Sequence, residues 1–116
     1  MASPKEKTPS AYKVRITENA RQDIDYITGY IAFINHQPLN AIRVGDAIFD
    51  TIERIGQNPY AYRECEEIST SSKIYRKAVC LSWLVIYKIK DGEIIILDII
   101  HSSRKPSRIK KLKKIK

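Results

Sequence analysis

The side chains best suited to chemistry gather toward the C-terminus. His101 ends an isoleucine-rich stretch, Ile94 to Ile100, and Arg104 and Lys105 follow closely. An imidazole that titrates near neutral pH can move a proton, and with two cations just beyond it can help to hold a phosphate. A plainer role is open to the same residue. Continuing the alternation Ile95, Leu97, Ile99, His101 lies on an apolar face at a strand end, where a histidine packs or hydrogen-bonds. Arg76 is ambiguous in the same way. Alternation puts Ile74, Arg76, Ala78 and Cys80 on one side of a strand. There the guanidinium either pairs with Asp98, a carboxylate inside an isoleucine-rich strand that needs a partner, or projects into a ligand site. Trp83, Tyr60 and Tyr62 can stack on bases. Trp83 sits in the most apolar segment and reads as core, whereas Tyr60 and Tyr62 flank the turn after Pro59 and suit either account.

The charge is unevenly spread. The formal net charge is +8, from 21 Lys and Arg against 13 Asp and Glu. Eight of those cations (Arg104, Lys105, Arg108, Lys110, Lys111, Lys113, Lys114 and Lys116) occupy the last 13 residues, where there is no acid. The rest of the chain is neutral, so the whole excess belongs to the tail. Such a field attracts nucleic acid, an anionic membrane or an acidic protein without distinguishing them, and it also suits a solvated end that aids solubility. Ile109, Leu112 and Ile115 recur every three residues within the lysines, and Pro106 and Ser107 can start a helix. That narrow apolar stripe would dock either on the domain or on a partner.

Several classes are disfavoured. Cys65 and Cys80 are too few for a disulfide-built secreted domain and read as free thiols. Neither has a cysteine or histidine at ligand spacing, and His36 and His101 lie far apart, so no metal or cofactor is expected. No apolar run approaches the roughly 18 residues of a membrane span. Met1 to Ser10 has no hydrophobic stretch behind its lysines and does not read as a signal peptide. These features predict a cytoplasmic protein.

The positioning elements follow from periodicity. Residues 1–11 are polar and read as a disordered leader, 12–103 as one domain, and 104–116 as a basic tail with a possible short helix. Tyr12, Val14 and Ile16 alternate with cations, as in a strand with one apolar face. Thr17 suits a helix N-cap, with Glu18 in the first turn. Ala20, Ile24, Ile27, Ile31 and Ile34 then form one helical stripe, with Arg21, Asp23 and Asp25 elsewhere on its surface. Pro38 breaks it, and Ala41, Val44, Ile48, Ile52 and Ile55 form a second stripe that ends near Gly56 and Asn58-Pro59. So short a connection makes the two helices antiparallel. A polar connection from Tyr60 to Ser72 leads to strands over 73–79, 81–89 and 94–100, the last two joined at Asp91-Gly92. The expected class is α+β: a small antiparallel sheet with an N-terminal strand, a helical hairpin on one face and three C-terminal strands.

That succession resembles the ParE/RelE toxins of bacterial type II toxin–antitoxin systems, the plasmid stabilisation family. The resemblance is carried by Val14-Arg15-Ile16-Thr17, Ala20 to Ile27 with Tyr30-Ile31, Asn58-Pro59, Tyr75-Arg76-Lys77 and Leu84-Val85-Ile86-Tyr87. The closing run is its most specific part: Asp91-Gly92, then Ile94 to Ile100 leading into His101 and Arg104. It covers about residues 12 to 108 and implies the same fold. It also implies one of two activities, each restrained by a cognate antitoxin in a hetero-oligomer. ParE-like members bind and poison DNA gyrase without being hydrolases, whereas RelE-like members cut messenger RNA on the ribosome. RNA cleavage by 2′-OH attack requires a base, an acid and cations for the charged phosphorane. Under the RelE-like reading Lys77, His101 and Arg104 would supply them. The arginine that RelE-like toxins carry in the tyrosine-ended strand stands here as Leu84, and no tyrosine follows Tyr87. The incomplete set favours the ParE-like reading, with Arg76, Arg104, Lys105, Arg108, Ile109 and Leu112 as partner-binding residues. A basic binding module on the same fold, without toxicity, is the third reading.

Overall fold

The computed structural model describes residues 12–68, 70–103, 109 and 111–114. The leader 1–11 and the tail cations Arg104, Lys105 and Arg108 fall outside them. Strand β1 (Lys13–Ile16) leads through Thr17 into helix α1 (Glu18–Gly29). Thr17 is the N-cap: its hydroxyl accepts from the Ala20 N–H at 3.1 Å and donates to the Ile96 carbonyl at 2.8 Å, so one side chain starts the helix and ties it to the sheet. Helix α2 (Pro38–Gln57) begins with its proline in the first turn, where no N–H is needed. Strands β2 (Arg63–Glu64), β3 (Tyr75–Cys80), β4 (Trp83–Lys90) and β5 (Glu93–His101) complete the sheet, in the order β1-β5-β4-β3-β2.

The α+β class and the helical hairpin on one face are as the sequence predicts, with four departures. First, β1 pairs with β5 in parallel, so the sheet is mixed rather than antiparallel. The chain passes through α1, α2, β2, β3 and β4 before it reaches β5, a connection long enough to bring it back in that sense. Second, two residues of the expected polar connection pair with β3 as β2. Third, the first helical stripe breaks before its end. Ala20, Ile24, Ile27 and Ile31 are buried, but Ile34 is 61% exposed. Tyr30–Ile34 is a π-helical segment, and its wider turn swings Ile34 off the buried face. Fourth, Asp23 is not simply a surface residue: its carboxylate accepts from the Ile99 N–H at 3.0 Å.

The sheet is covered on both faces. On one side the two helical stripes pack against Ala78, Val85, Tyr87, Ile89, Ile94, Ile96 and Ile99. On the other, Ile86, Ile95, Leu97 and Ile100 join Cys65, Ile68, Tyr75, Ile109 and Leu112 in a second core. Ile109 and Leu112, expected to meet a partner, are thus buried against the chain's own sheet and anchor the tail. Lys111–Lys114 forms a 3-10 turn. Cys65 and Cys80 belong to different cores and both are free thiols. Asp91 and Gly92 both have positive φ, 52° and 74°, as the primed turn of a tight hairpin requires. The β4–β5 register carries a bulge between Ile86 and Tyr87, and β5 is buried on both sides from Ile94 to Ile100. Among the described residues, no helix is long and apolar enough to cross a membrane.

Candidate functional site

Strand parity decides which of the expected site residues can meet. Tyr75 packs in the tail-side core and Ala78 in the helix-side core, so Lys77 faces the tail side and Arg76 the helix side. His101 pairs with Trp83 at the far end of β4 and β5, and Trp83 packs on the helix-side core. Lys77 and His101 therefore lie on opposite faces of the sheet, on strands separated by β4.

Lys77 is mostly buried and committed to a local partner. Its Nζ donates to Glu67 Oε1 at 3.3 Å, and the Cys65 thiol contacts the same oxygen at 3.6 Å. Burial first, then the Glu67 charge, pushes the Cys65 thiol up to about 11, so it is no nucleophile at neutral pH. Partial burial pushes the Glu67 carboxyl up as well. Its hydrogen bonds with its own backbone and with Lys77 outweigh that effect and leave it below the usual glutamate range. A lysine held in this way is a structural cation. Glu67 itself sits in the stretch read as a polar connection, and only its spacing from Lys77 across the β2–β3 loop makes the pair.

Arg76 does not meet Asp98. It donates to the Tyr62 carbonyl at 2.9 Å and the Lys73 carbonyl at 3.1 Å, and it lies over the Tyr60 ring at 5.2 Å. The strand order explains this: β4 stands between β3 and β5, and Asp98 is turned toward the start of α1. There Asn19 Nδ2 donates to its Oδ1 at 3.4 Å, and the same oxygen accepts from the Ile99 N–H at 3.0 Å. Arg76 instead fixes the tyrosine turn beneath α2. Tyr62 meets Tyr87 edge-on, and the buried Tyr87 hydroxyl donates to the Pro59 carbonyl at 2.5 Å. Burial pushes the Tyr87 hydroxyl well above the usual phenol range and keeps it a donor.

His101 is exposed. The Ser103 N–H approaches its Nδ1 at 3.2 Å and the Ser103 hydroxyl at 2.8 Å, so Nδ1 accepts and Nε2 carries the proton of the neutral ring. It stands edge-on to Trp83 at 5.9 Å. Both line a groove of about 700 Å³ between α1 and the sheet, with Tyr26, Tyr30, Gln22 and Asn40 around the rim. Tyr26 and Tyr30 were not singled out as site residues in the sequence, although their spacing of four already put them on one helical face.

A second exposed surface lies on the outer side of the hairpin. Leu39, Ile42 and Phe49 form a stripe on α2, and Phe33 adds to it. Phe33, Ile42 and Phe49 line an apolar groove between α1 and α2 that also holds Gly45, whose lack of a side chain lets Thr28 approach. Apolar surface of that extent is the kind a protein partner covers. Among the described residues, no group of three His, Cys, Asp or Glu side chains comes together as a metal site.

The fold has a counterpart among solved structures. A solved structure described as the chromosomal ParDE toxin–antitoxin system from P. aeruginosa aligns with a TM-score of 0.64 at 21% identity, covering 78% of this chain and 96% of that one. At that identity it supports the fold alone. Comparison with curated proteins gives no match. The family model described as ParE toxin of type II toxin-antitoxin system, parDE, matches residues 14–106, most of the sequence, and the chain therefore belongs to the ParE toxin family.

Proposed function

We propose that this protein is a ParE-like toxin that acts in the cytoplasm by binding and inhibiting DNA gyrase, and that a cognate antitoxin neutralises it in a hetero-oligomer. The observation that carries this reading is the separation of Lys77 and His101 by the thickness of the sheet. Endonucleolytic attack needs acid, base and cations around one phosphate. A lysine neutralised by Glu67 on one face and an imidazole on the other cannot share that phosphate. What these surfaces offer instead suits a macromolecular partner: an aromatic groove beside His101, an apolar stripe on the hairpin, and a cationic tail anchored by Ile109 and Leu112. In this reading Arg104, Lys105 and Arg108 supply electrostatic steering toward the gyrase–DNA complex rather than catalysis.

Controlled expression in a bacterium tests the reading, with message stability and DNA integrity followed separately. DNA damage with intact messages is expected, and it should persist in His101→Ala. Purified protein should inhibit supercoiling by gyrase. Rapid loss of messages that Lys77→Ala or His101→Ala abolishes would establish the RelE-like endoribonuclease instead. Expression with neither effect would point to a non-toxic binding module.

A further inference from the structure

At the end of the sheet remote from His101, basic side chains line up across three strands. The parallel pairing of β1 with β5 sets Lys13 beside Glu93 and Arg15 beside Ile95. On the other side of β5, β4 sets Lys90 beside Glu93 and Lys88 beside Ile95. Two successive rungs of one face therefore read Lys13, Glu93, Lys90 and Arg15, Ile95, Lys88. Ile95 belongs to the tail-side core, which fixes the face. These six residues, with Asp91 and Gly92 of the hairpin, line a groove of about 600 Å³.

Its electrostatics are unusual for a surface that serves only the fold. Lys88 is 7% exposed, although lysine seldom accepts that degree of burial. Burial first, then the neighbouring Lys90 and Arg15, holds its ammonium below the usual lysine range. Arg15 approaches Glu93 at 3.6 Å, and Lys88 lies 6.0 Å from the Tyr75 ring centre. Like charges on adjoining rungs oppose folding, and an anion seated among them would relieve that opposition. Among the described residues, four cations and two carboxylates line the groove, an excess of two positive charges.

We infer that this groove is a binding site for a phosphate dianion, held between the Lys13–Lys90 and Arg15–Lys88 rungs. The charge selects the ligand class. A phosphate monoester carries about −1.5 to −2 at neutral pH and matches the excess. A carboxylate brings a single charge and leaves part of that excess unmatched. Lysines suit phosphate as point charges, and arginine adds a planar fork. Free phosphate and the terminal phosphate of a nucleotide or nucleic-acid end share this chemistry. The site is independent of the way in which the toxin acts on gyrase.

Titration of the isotope-labelled full chain with inorganic phosphate, followed by amide NMR, tests the inference against sodium chloride at matched ionic strength. Saturable shifts confined to the ends of β1, β4 and β5 are expected, and Lys90→Gln, an exposed change, should weaken binding about tenfold or more. Lys88→Met keeps the buried stem and should have a similar effect. A response that chloride reproduces, or that both variants leave intact, would overturn the site. In a second arm, a short oligonucleotide is compared with and without a 5′-phosphate. Tighter binding of the phosphorylated form at the same residues identifies a nucleic-acid end as the source, and no difference beside saturable phosphate binding identifies the free anion. A glutamate-rich peptide that outcompetes phosphate in the groove would replace the assignment with an acidic protein partner.

Discussion

The two faces of the sheet are closed by different means. The helix side is sealed by α1 and α2, whose stripes put Ala20, Ile24, Val44, Ile48, Ile52 and Ile55 over the sheet with almost no polar intrusion. Among the described residues, the tail side has no long element. Its core is closed by short pieces, Cys65 and Ile68 from the loop after β2 and Ile109 and Leu112 from the tail, and it carries the Lys77–Glu67 pair and the nearly buried Lys88. The first arrangement is built from neighbours in sequence that fold as cooperative helices. The second depends on distant segments meeting, each with little structure of its own.

If that contrast is right, the same kind of lesion should differ in size on the two sides. Ile48→Ala, fully buried at the middle of α2, is expected to cost about 4 kcal/mol, near the upper part of the range for such truncations. Chemical denaturation of purified protein checks it, and a loss under 2 kcal/mol would mean that the helices are not the principal seal. Ile109→Ala removes an equally buried side chain, 1% exposed, but from a short anchor that can yield. About 2 kcal/mol is expected. Its more telling readout is hydrogen exchange: amides of β5 next to the tail should exchange faster while those of α2 keep their protection. Equal losses of protection in both would show one cooperative core rather than two.

The helix side was the more legible in the sequence, for the same physical reason. A 3.6-residue period is a local signal, and all five residues of the second stripe, Ala41 to Ile55, are buried as read. The exception, Ile34, fails where π-helical geometry replaces that period, which no residue type announces. Pairing across the sheet is not local. The alternation of Tyr12, Val14 and Ile16 predicts a strand but carries no information on whether it runs parallel or antiparallel to its neighbour. Nor does it name β5 as that neighbour. The rungs joining Lys13 and Arg15 to Lys88 and Lys90 were hidden for that reason. The candidate chemistry suffered similarly. Alternation gave Arg76 the side of Ala78 and Cys80, but Ile74, ahead of the strand, packs in the tail-side core, and the expected partner Asp98 lies on β5, with the whole of β4 between. His101 was placed at a strand end, yet its groove exists only because α1 folds back over Ile99.

The smallest effect concerns the polar cluster that only the tail side contains. Glu67→Gln leaves Lys77 without its carboxylate and should cost about 1 kcal/mol at neutral pH. Because Glu67 is held below its ordinary value of 4.5, the folded protein binds fewer protons there than the unfolded chain does. Its contribution is thus complete above that value and is lost as the pH falls through the folded one. The stability gap between the parent and Glu67→Gln should accordingly be flat from neutrality to about pH 5 and close on further acidification. Cys65 acts at the other end of the scale. With its thiol raised from 9.0 to about 11, the folded state holds a proton that the unfolded chain releases, so stability falls as the pH rises across that interval. Glu67→Gln removes the charge that supplies part of that rise, so the alkaline loss should begin at the same pH, end at a lower one and be smaller in the variant. Thermal melts from pH 3 to 11 on the two proteins read both limbs. A gap that stays constant at both extremes would show that Glu67 contributes packing alone, which would make the tail side a second copy of the helix side and remove the electrical distinction between them.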